Sequence, residues 1–492
     1  MADAAVWITG TGPDKQLNFR LPTGGKGDKG DKGDRGTDGS NVLPTDTAIA
    51  AAVNGNGETK TALNATYATI GSVATAVEPY RKSANTIALL GDSFTDMSED
   101  TTGVNSYRSS RGFLTWAMQR LGQRLQIVAA PGTANGGITG QNTTQILARV
   151  QQDVVALAPG WAHVLAGTND VLGAVAFGTI QANLTAIYDA IQNAGIRLIL
   201  GTIAPYSGAT TTQLVTIERI NNFIREQAQT RPGAVLADYH AVLAGADGNW
   251  RVTGTTAYTG DGTHASTGGA MRMGKALADA LAAHVPAMNI LPTSNVDASA
   301  NASSFAKPNL LTNPMFTGTA GTVGTQATGQ VADSWVVSTY TASDLTGVTA
   351  SKVARTDGKA GTWQQFALTN VSQKLRFQQT INMGGNLAAG DLVWGAIEYE
   401  LESITDLDLF RVQLATFDAN NGYANRGTVI DMDLNGADIN TIPLDANLPA
   451  TGILRTPTLV MPANATGVTF SFDVSAVGTI RLARPVFRRT RP

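Results

Sequence analysis

From residue 83 to about residue 286, short runs rich in Ile, Val and Leu alternate with longer segments of helical period. This is how a sheet joined by crossover helices reads. The runs at 86–90, 125–130, 162–166, 197–203 and 234–238 are continuously apolar rather than alternating, which predicts parallel strands buried on both faces. Helical spacing over 141–157, 179–193, 212–229 and 267–283 supplies elements long enough to cover such a sheet. Beyond residue 307 the period becomes two. Val468, Phe470, Phe472 and Val474 face one way and Thr469, Ser471 and Asp473 the other, and Val393, Ile397, Tyr399 and Leu401 alternate with Trp394, Glu398 and Glu400. These read as half-buried antiparallel strands. With turn signals such as Asn420-Asn421-Gly422, they predict a β-sandwich or jelly roll over 308–492.

The N-terminal part has a different periodicity. Glycine recurs at Gly24, Gly27, Gly30, Gly33, Gly36 and Gly39. Only glycine fits at the axis of a collagen-like triple helix, so a Gly-X-Y run implies three chains, with Lys and Asp placed for interchain ion pairs; a flexible charged linker is the alternative. In the Ala/Thr-rich stretch that follows, Leu63, Tyr67, Ile70, Val73 and Val77 form a narrow helical stripe, suited to a seam between symmetry-related helices or, with Gly71 inside it, to a loose linker. The resulting division is 1–23, an attachment segment; 24–41, collagen-like; 42–83, helical stem or linker; 84–288, α/β; 289–307, linker; 308–492, β.

Composition removes several classes of function. The chain has 492 residues, with 35 Lys plus Arg against 38 Asp plus Glu, so no cationic excess points to nucleic acid. The basic run 481–489 has apolar residues interleaved and suits a final edge strand. No uninterrupted apolar stretch of about 18 residues predicts membrane insertion, and Met1 to Gly10 lacks the pattern of a secretion signal. The absence of cysteine excludes disulfides and thiol catalysis.

Candidate chemistry lies at the strand ends of the α/β region. The first run ends in Gly91-Asp92-Ser93, exposing Ser93 at the carboxyl edge of the sheet, where open parallel sheets bind ligands. A serine hydroxyl needs a base to become a nucleophile. Of His163, His240, His264 and His284, only His264 has an acid three residues earlier, Asp261, in a Gly-rich loop. His163 reads as a core residue, and His240 and His284 as surface or capping residues. Donors for an oxyanion are available after the second strand, in 135–140, and after the third, in 167–170. Asp170 reads as structural, and no histidine has metal-ligand partners at suitable spacing.

In this order the residues resemble the SGNH (GDSL-type) hydrolases, whose four blocks contribute Ser, Gly, Asn and His. Gly-Asp-Ser stands at 91–93, the block glycine at Gly140, Gly-x-Asn-Asp at 167–170 and Asp-x-x-His at 261–264. The resemblance covers residues 85–285. It implies a flavodoxin-like three-layer α/β fold, Ser93 as nucleophile, His264 as general base and then acid, and Asp261 as its orienting carboxylate. The Ser93 and Gly140 N–H groups and the Asn169 amide would form the oxyanion hole, with no metal or cofactor. Ala265 stands where many members have proline.

The layout of a Gly-X-Y collar, an Ala/Thr-rich stretch, an enzyme domain and a terminal sandwich resembles that of bacteriophage tail fibres and other tail receptor-binding proteins. The segment 309–316 with Asp333-Ser334-Trp335 is similar to the opening strand of carbohydrate-binding jelly rolls. These resemblances imply a homotrimer in the virion tail, joined to other tail proteins by its N-terminal segment and acting outside the cell on host-surface glycan or an envelope ester. Trp335, Trp363 and Trp394 would offer faces for sugar stacking, although a tryptophan in a sandwich is more often core. A non-catalytic adhesin and a secreted bacterial carbohydrate esterase are the alternative readings.

Overall fold

The apolar runs of the α/β region assemble into one parallel sheet. In the computed structural model, Thr86–Gly91 lies at its centre, between Gln126–Ile127 and Trp161–Leu165, with Arg197–Gly201 and Val235–Ala237 continuing beyond the latter. In chain order the five strands run 2-1-3-4-5, the doubly wound order that opens a crevice beside its first strand at the carboxyl edge. Of the 125–130 run only Gln126–Ile127 pairs. The central strand instead takes Gly136–Gly137 alongside its carboxyl end, so the second loop is drawn back over the crevice.

The structure describes residues 5–9, 16–20, 85–98, 100–102, 105–131, 133–253, 256–286, 289–297, 308–339, 344–419, 423–431 and 450–490. The collagen-like repeat, the Ala/Thr-rich stretch and the turn 420–422 lie outside them. Contacts divide the chain into Met1–Gly71 and Ser72–Pro492. In the first unit Ala5–Thr9 and Gln16–Arg20 pair as an antiparallel hairpin.

In the second unit, helix Thr267–Leu281 packs on Phe113–Arg120, and Phe177–Asn193 packs on Thr143–Asp153 and on Thr211–Thr230. Two helices start in reciprocal capping boxes, Asn142 with Gln145 and Thr210 with Gln213. Such caps typically contribute about 1 kcal/mol each. Phe113–Arg120 has no counterpart in the sequence reading because nearly every residue in it is buried, which erases the amphipathic stripe. No helix among the described residues is long and apolar enough to cross a membrane.

The C-terminal region is built on two long antiparallel strands, Leu392–Phe417 and Gly467–Thr490, each running through both layers of one folded β-sheet. One layer adds Val331–Thr339, Leu375–Asn382 and Tyr423–Asp431; the other adds Thr349–Ala354, Thr362–Leu368 and Thr451–Arg455. The strands turn from layer to layer where Gly478, at φ 137°, approaches Ser403, at φ 54°. Tyr399 and Phe410, on one strand, consequently meet with ring centroids 5.0 Å apart, and Phe366 meets Phe377 across the layers at 5.3 Å.

Several expectations for this region are corrected. The strand carrying Val468 to Val474 is not half-buried: Ser471 and Asp473 on its polar face are buried too, because Arg376 and Arg411 fold over Asp473. Trp394 and Ala396 also have no open face, since they pack with Val486 against Leu291, so 289–297 is docked chain rather than free linker. The basic run 481–489 has strands on both sides at Arg481 and Leu482 and beyond them pairs, among the described residues, with Leu392–Phe417 alone, its other side taking the Leu310 N–H on the Phe487 carbonyl. Arg481 is paired with Glu400 and Glu402, Arg484 with Glu398 and Arg489 with Asp391. None of the three tryptophans offers a free ring: Trp335 stacks on Phe377, Trp363 lies under Arg355 and Trp394 under Arg455.

One layer of this sheet does not end at the C-terminal region. Tyr423–Asp431 pairs in parallel with Asn105–Ser109, which pairs with Asp100–Thr102, so a segment that follows Ser93 extends the C-terminal sheet.

Candidate functional site

Gly91 closes the central strand where any side chain would collide: a Cβ there would fall 2.2 Å from Thr95 Oγ1 and 2.4 Å from the Leu165 carbonyl. The turn is therefore tight enough to begin a one-turn helix, Ser93–Asp96, at once. Asp92 caps that helix by accepting from the Phe94 N–H at 3.1 Å. Burial pushes the Asp92 carboxyl up to about 7; the Phe94 hydrogen bond and Arg149 oppose this and Asp170 adds to it.

Ser93 Oγ lies 2.8 Å from His264 Nε2, and His264 Nδ1 lies 2.7 Å from Asp261 Oδ2. The loop carrying the last two residues is folded around its own acid: Asp261 Oδ1 accepts the Thr263 and His264 N–H groups at 2.9 and 2.7 Å. Partial burial alone would raise the Asp261 carboxyl, but the His264 N–H, the His264 ring and the Thr263 N–H outweigh it and hold it down at about 2. It is thus a carboxylate across the neutral range. A carboxylate there accepts the Nδ1 proton and leaves Nε2 facing the serine as a base. Phe94 flanks the imidazole with ring centroids 5.4 Å apart.

The second loop closes on the same point. The Ile138 N–H donates to the Gly91 carbonyl at 3.1 Å and Thr139 Oγ1 to Asp96 Oδ2 at 2.7 Å. Gly140 has φ 81°, a conformation open to glycine, and its exposed backbone stands at the crevice. Asn169 Nδ2 donates to the neighbouring Gln141 carbonyl at 2.9 Å. Ser93, His264 and Asp261 are thus joined directly, while Asn169 is tied to the residue after Gly140 and the second loop is tied to the Ser93 turn through Ile138 and Thr139.

Two arginines that the sequence did not single out serve this arrangement. Arg149 donates to the carbonyls of Gly91 and Gly136 and to Gln141 Oε1, each at 2.7 Å, and so ties the nucleophile turn to the second loop. Its only sequence signal is a place between the apolar Ile146 and Val150 with Asp153 four residues on. Arg111 donates to the Ala265 carbonyl at 3.4 Å and stands 3.9 Å from Asp261 Oδ2; nothing local marks it.

Asp170 is buried and accepts from the Thr143 N–H and Oγ1 at 2.8 and 2.7 Å, anchoring the helix after the second loop. His163 is buried, hydrogen-bonded to Tyr239 at 2.8 Å, and pushed down to about 3 by burial. His284 is exposed. His240 departs from the expectation of a surface residue: it is 5% exposed, because its short helix tucks it behind Glu218, 3.6 Å away. In the C-terminal region a cavity of about 440 Å³ is lined by Leu310, Thr312, Ser334, Gln379, Asn386 and Leu387.

Residues 89–296 match the sequence model of the GDSL-like Lipase/Acylhydrolase family. Among solved structures, the chain is similar to a GDSL-like lipase from Bacteroides thetaiotaomicron, with 18% identity over 42% of this chain and 94% of the other and a TM-score of 0.31. It is also similar to a carbohydrate esterase family 3 protein from Talaromyces cellulolyticus, with 19% identity over 42% and 99% and a TM-score of 0.31. The enzymatically active domain of tailspike protein 4 from bacteriophage CBA120 matches at 15% identity over 32% and 20%, with a TM-score of 0.23. No curated protein matches the chain.

Proposed function

From a chain that carries a GDSL-like lipase/acylhydrolase domain over residues 89–296, we propose a serine esterase that removes O-acetyl groups from host-surface glycan as part of a trimeric phage tail receptor-binding protein. The observation that carries the esterase reading is the unbroken chain Ser93 Oγ, His264, Asp261, with steps of 2.8 and 2.7 Å. His264 Nε2 takes the Ser93 proton as Oγ attacks the ester carbonyl. The tetrahedral oxyanion receives the Ser93 and Gly140 N–H groups and the second N–H of the Asn169 amide. His264 returns the proton to the leaving alcohol. Water activated by the same imidazole then attacks the acyl-serine, releasing the carboxylate and restoring Ser93.

The tail setting and the trimer rest on the Gly-X-Y run at 24–39 and on the order of segments. The glycan rests on that setting, and the cavity at Thr312 and Gln379 is the place in the C-terminal region where a sugar would dock. Hydrolysis of a chromogenic acetyl ester and of acetylated glycan, compared between the parent protein and Ser93→Ala, tests the reading. We expect acetate release from both substrates by the parent alone. Release from longer acyl esters only would redirect the assignment to envelope lipid. No hydrolysis of any ester, with host-cell binding intact, would replace it with a non-catalytic adhesin.

A further inference from the structure

The segment 105–120 begins in the C-terminal sheet and ends against it. Asn105–Ser109 is a strand of that sheet, paired in parallel with Tyr423–Asp431. Helix Phe113–Arg120 packs against Thr451–Arg455, its Gln119 accepts from the Tyr399 hydroxyl at 3.0 Å, and just beyond it Gln123 donates to the Ile453 carbonyl at 2.7 Å. Between these anchors the chain is fixed. The Ser110 carbonyl accepts from the Trp116 indole at 2.6 Å, and a Cβ on Gly112 would fall 2.5 Å from Ser98 Cα, so the backbone there cannot shift toward the nucleophile turn. Arg111 stands at this point and reaches the opposite side of the crevice, donating to the Ala265 carbonyl and standing 3.9 Å from Asp261 Oδ2.

We propose that Arg111 is a positioning residue through which the C-terminal sheet holds the Asp261–His264 loop against Ser93, so that the β region is part of the hydrolase site rather than a module appended to it. The inference rests on the esterase reading only for its kinetic consequence. The guanidinium touches both ends of a loop that is otherwise held by the Ser207 N–H on the Gly262 carbonyl at 2.8 Å, by the Trp250 indole on the same carbonyl and by contacts within 259–264.

The test uses the full-length chain with Arg111→Gln, Arg111→Lys and Thr428→Pro, the last removing an N–H from the strand between 105–109 and Leu392–Phe417. Hydrogen exchange is read on peptides spanning 257–266 and, as a control for global folding, 86–91. We expect faster exchange over 257–266 in Arg111→Gln and Thr428→Pro, partial recovery in Arg111→Lys and no change over 86–91. On the acetyl ester we expect kcat/KM about ten- to a hundredfold lower in Arg111→Gln, carried by kcat. Unchanged exchange over 257–266 in Arg111→Gln overturns the proposal whether or not the parent protein is active. A change in Arg111→Gln but not in Thr428→Pro overturns the part assigned to the C-terminal sheet. An inactive parent with the expected exchange pattern overturns the esterase reading and leaves the positioning role standing.

Discussion

The two large regions of the Ser72–Pro492 unit bury charge in opposite ways. In the α/β region the fully buried titratable groups stand without a direct ionic partner: Asp92 has one carboxylate oxygen unbonded among the described residues, His163 meets only a tyrosine hydroxyl, and Asp170 takes two bonds from Thr143. In the β region buried charges come in clusters. Asp473 lies between Arg376 and Arg411 at 2.7 to 3.0 Å, and Glu398 among Arg355, Arg484 and Lys359 at 2.8 to 2.9 Å. An unpaired buried group escapes its desolvation cost by moving its pKa, as Asp92 and His163 do. A paired one stays charged and fixes geometry. Burial alone would raise the Glu398 carboxyl, but Arg484, Arg355 and Lys359 hold it below the usual range. Of the first kind, Asp92 adjoins Ser93 and Asp170 anchors the helix after the second loop; those of the second kind link neighbouring strands.

If that contrast is correct, removing a polar group from the α/β crevice changes rate and removing one from the β clusters changes stability. The largest effect expected is on rate. Ser93→Ala lowers ester hydrolysis on the order of 10⁴-fold or more with the unfolding midpoint unchanged, and Asp261→Asn acts similarly because the amide no longer fixes the Nδ1 proton. Steady-state kinetics beside urea unfolding separate the two quantities. A substantial loss of stability in Ser93→Ala would break the contrast.

The mirror experiment is Asp473→Ala. It leaves the buried Arg411 and the half-buried Arg376 guanidiniums without their carboxylate, and breaking a buried ionic cluster in this way costs about 3 to 5 kcal/mol. Denaturant unfolding should show that loss, while kcat/KM of the remaining folded protein stays within about twofold of the parent, a difference worth under about 0.5 kcal/mol. A large fall in kcat with little change in stability would mean that the ionic clusters of the β region serve the crevice directly.

How much of this was legible in the sequence follows from the range of the interactions. The five strands, four of the major helices and the meeting of Ser93, Asp261 and His264 rest on local pattern: apolar runs, helical spacing and strand-end placement. The β strands were legible as strands but not as doubly buried ones, because the cover over Asp473 comes from Arg376 and Arg411, 97 and 62 residues away. Arg111 was invisible for the same reason. Its role depends on pairing between Asn105–Ser109 and Tyr423–Asp431, more than 300 positions apart in the chain, which no local period encodes. The buried position of His240 likewise comes from packing against a helix that precedes it, not from its own neighbours.

A pH experiment sharpens the contrast further. The folded Asp92 carboxyl holds its proton up to about 7, whereas in the unfolded chain it releases it near the ordinary carboxylate value of 3.8. Between those values the folded state binds more protons, so this group makes stability fall as pH rises through the window, and the loss is complete above it. His163 acts with the opposite sign: held neutral when folded, it makes stability fall as pH drops below the unfolded value of 6.5 toward 3. Asp92→Asn keeps an oxygen to cap the Phe94 N–H but removes the titration. Thermal unfolding from acid to alkaline pH should show the variant more stable than the parent above pH 7, with the difference vanishing toward pH 4. A variant less stable at alkaline pH would mean that Asp92 is held as a carboxylate, and the α/β region would lose its clearest unpaired group.

The smallest effect expected is where the two regions touch. Tyr399 belongs to a long β strand, yet its hydroxyl donates to Gln119 on the helix that follows Arg111, and both side chains are buried. Tyr399→Phe removes one neutral hydrogen bond and leaves the ring against Phe410, so the cost is about 1 kcal/mol, readable as a small shift in unfolding midpoint. If the contact only secures the boundary, kcat is unchanged. If the helix transmits the sheet's hold to Arg111, the kcat defect of Arg111→Gln is reproduced in part, and exchange over 257–266 rises without any change over 86–91. A rate effect from a hydroxyl placed among strands would then mark the boundary as the one place where a buried polar group of the β region serves both stability and the crevice.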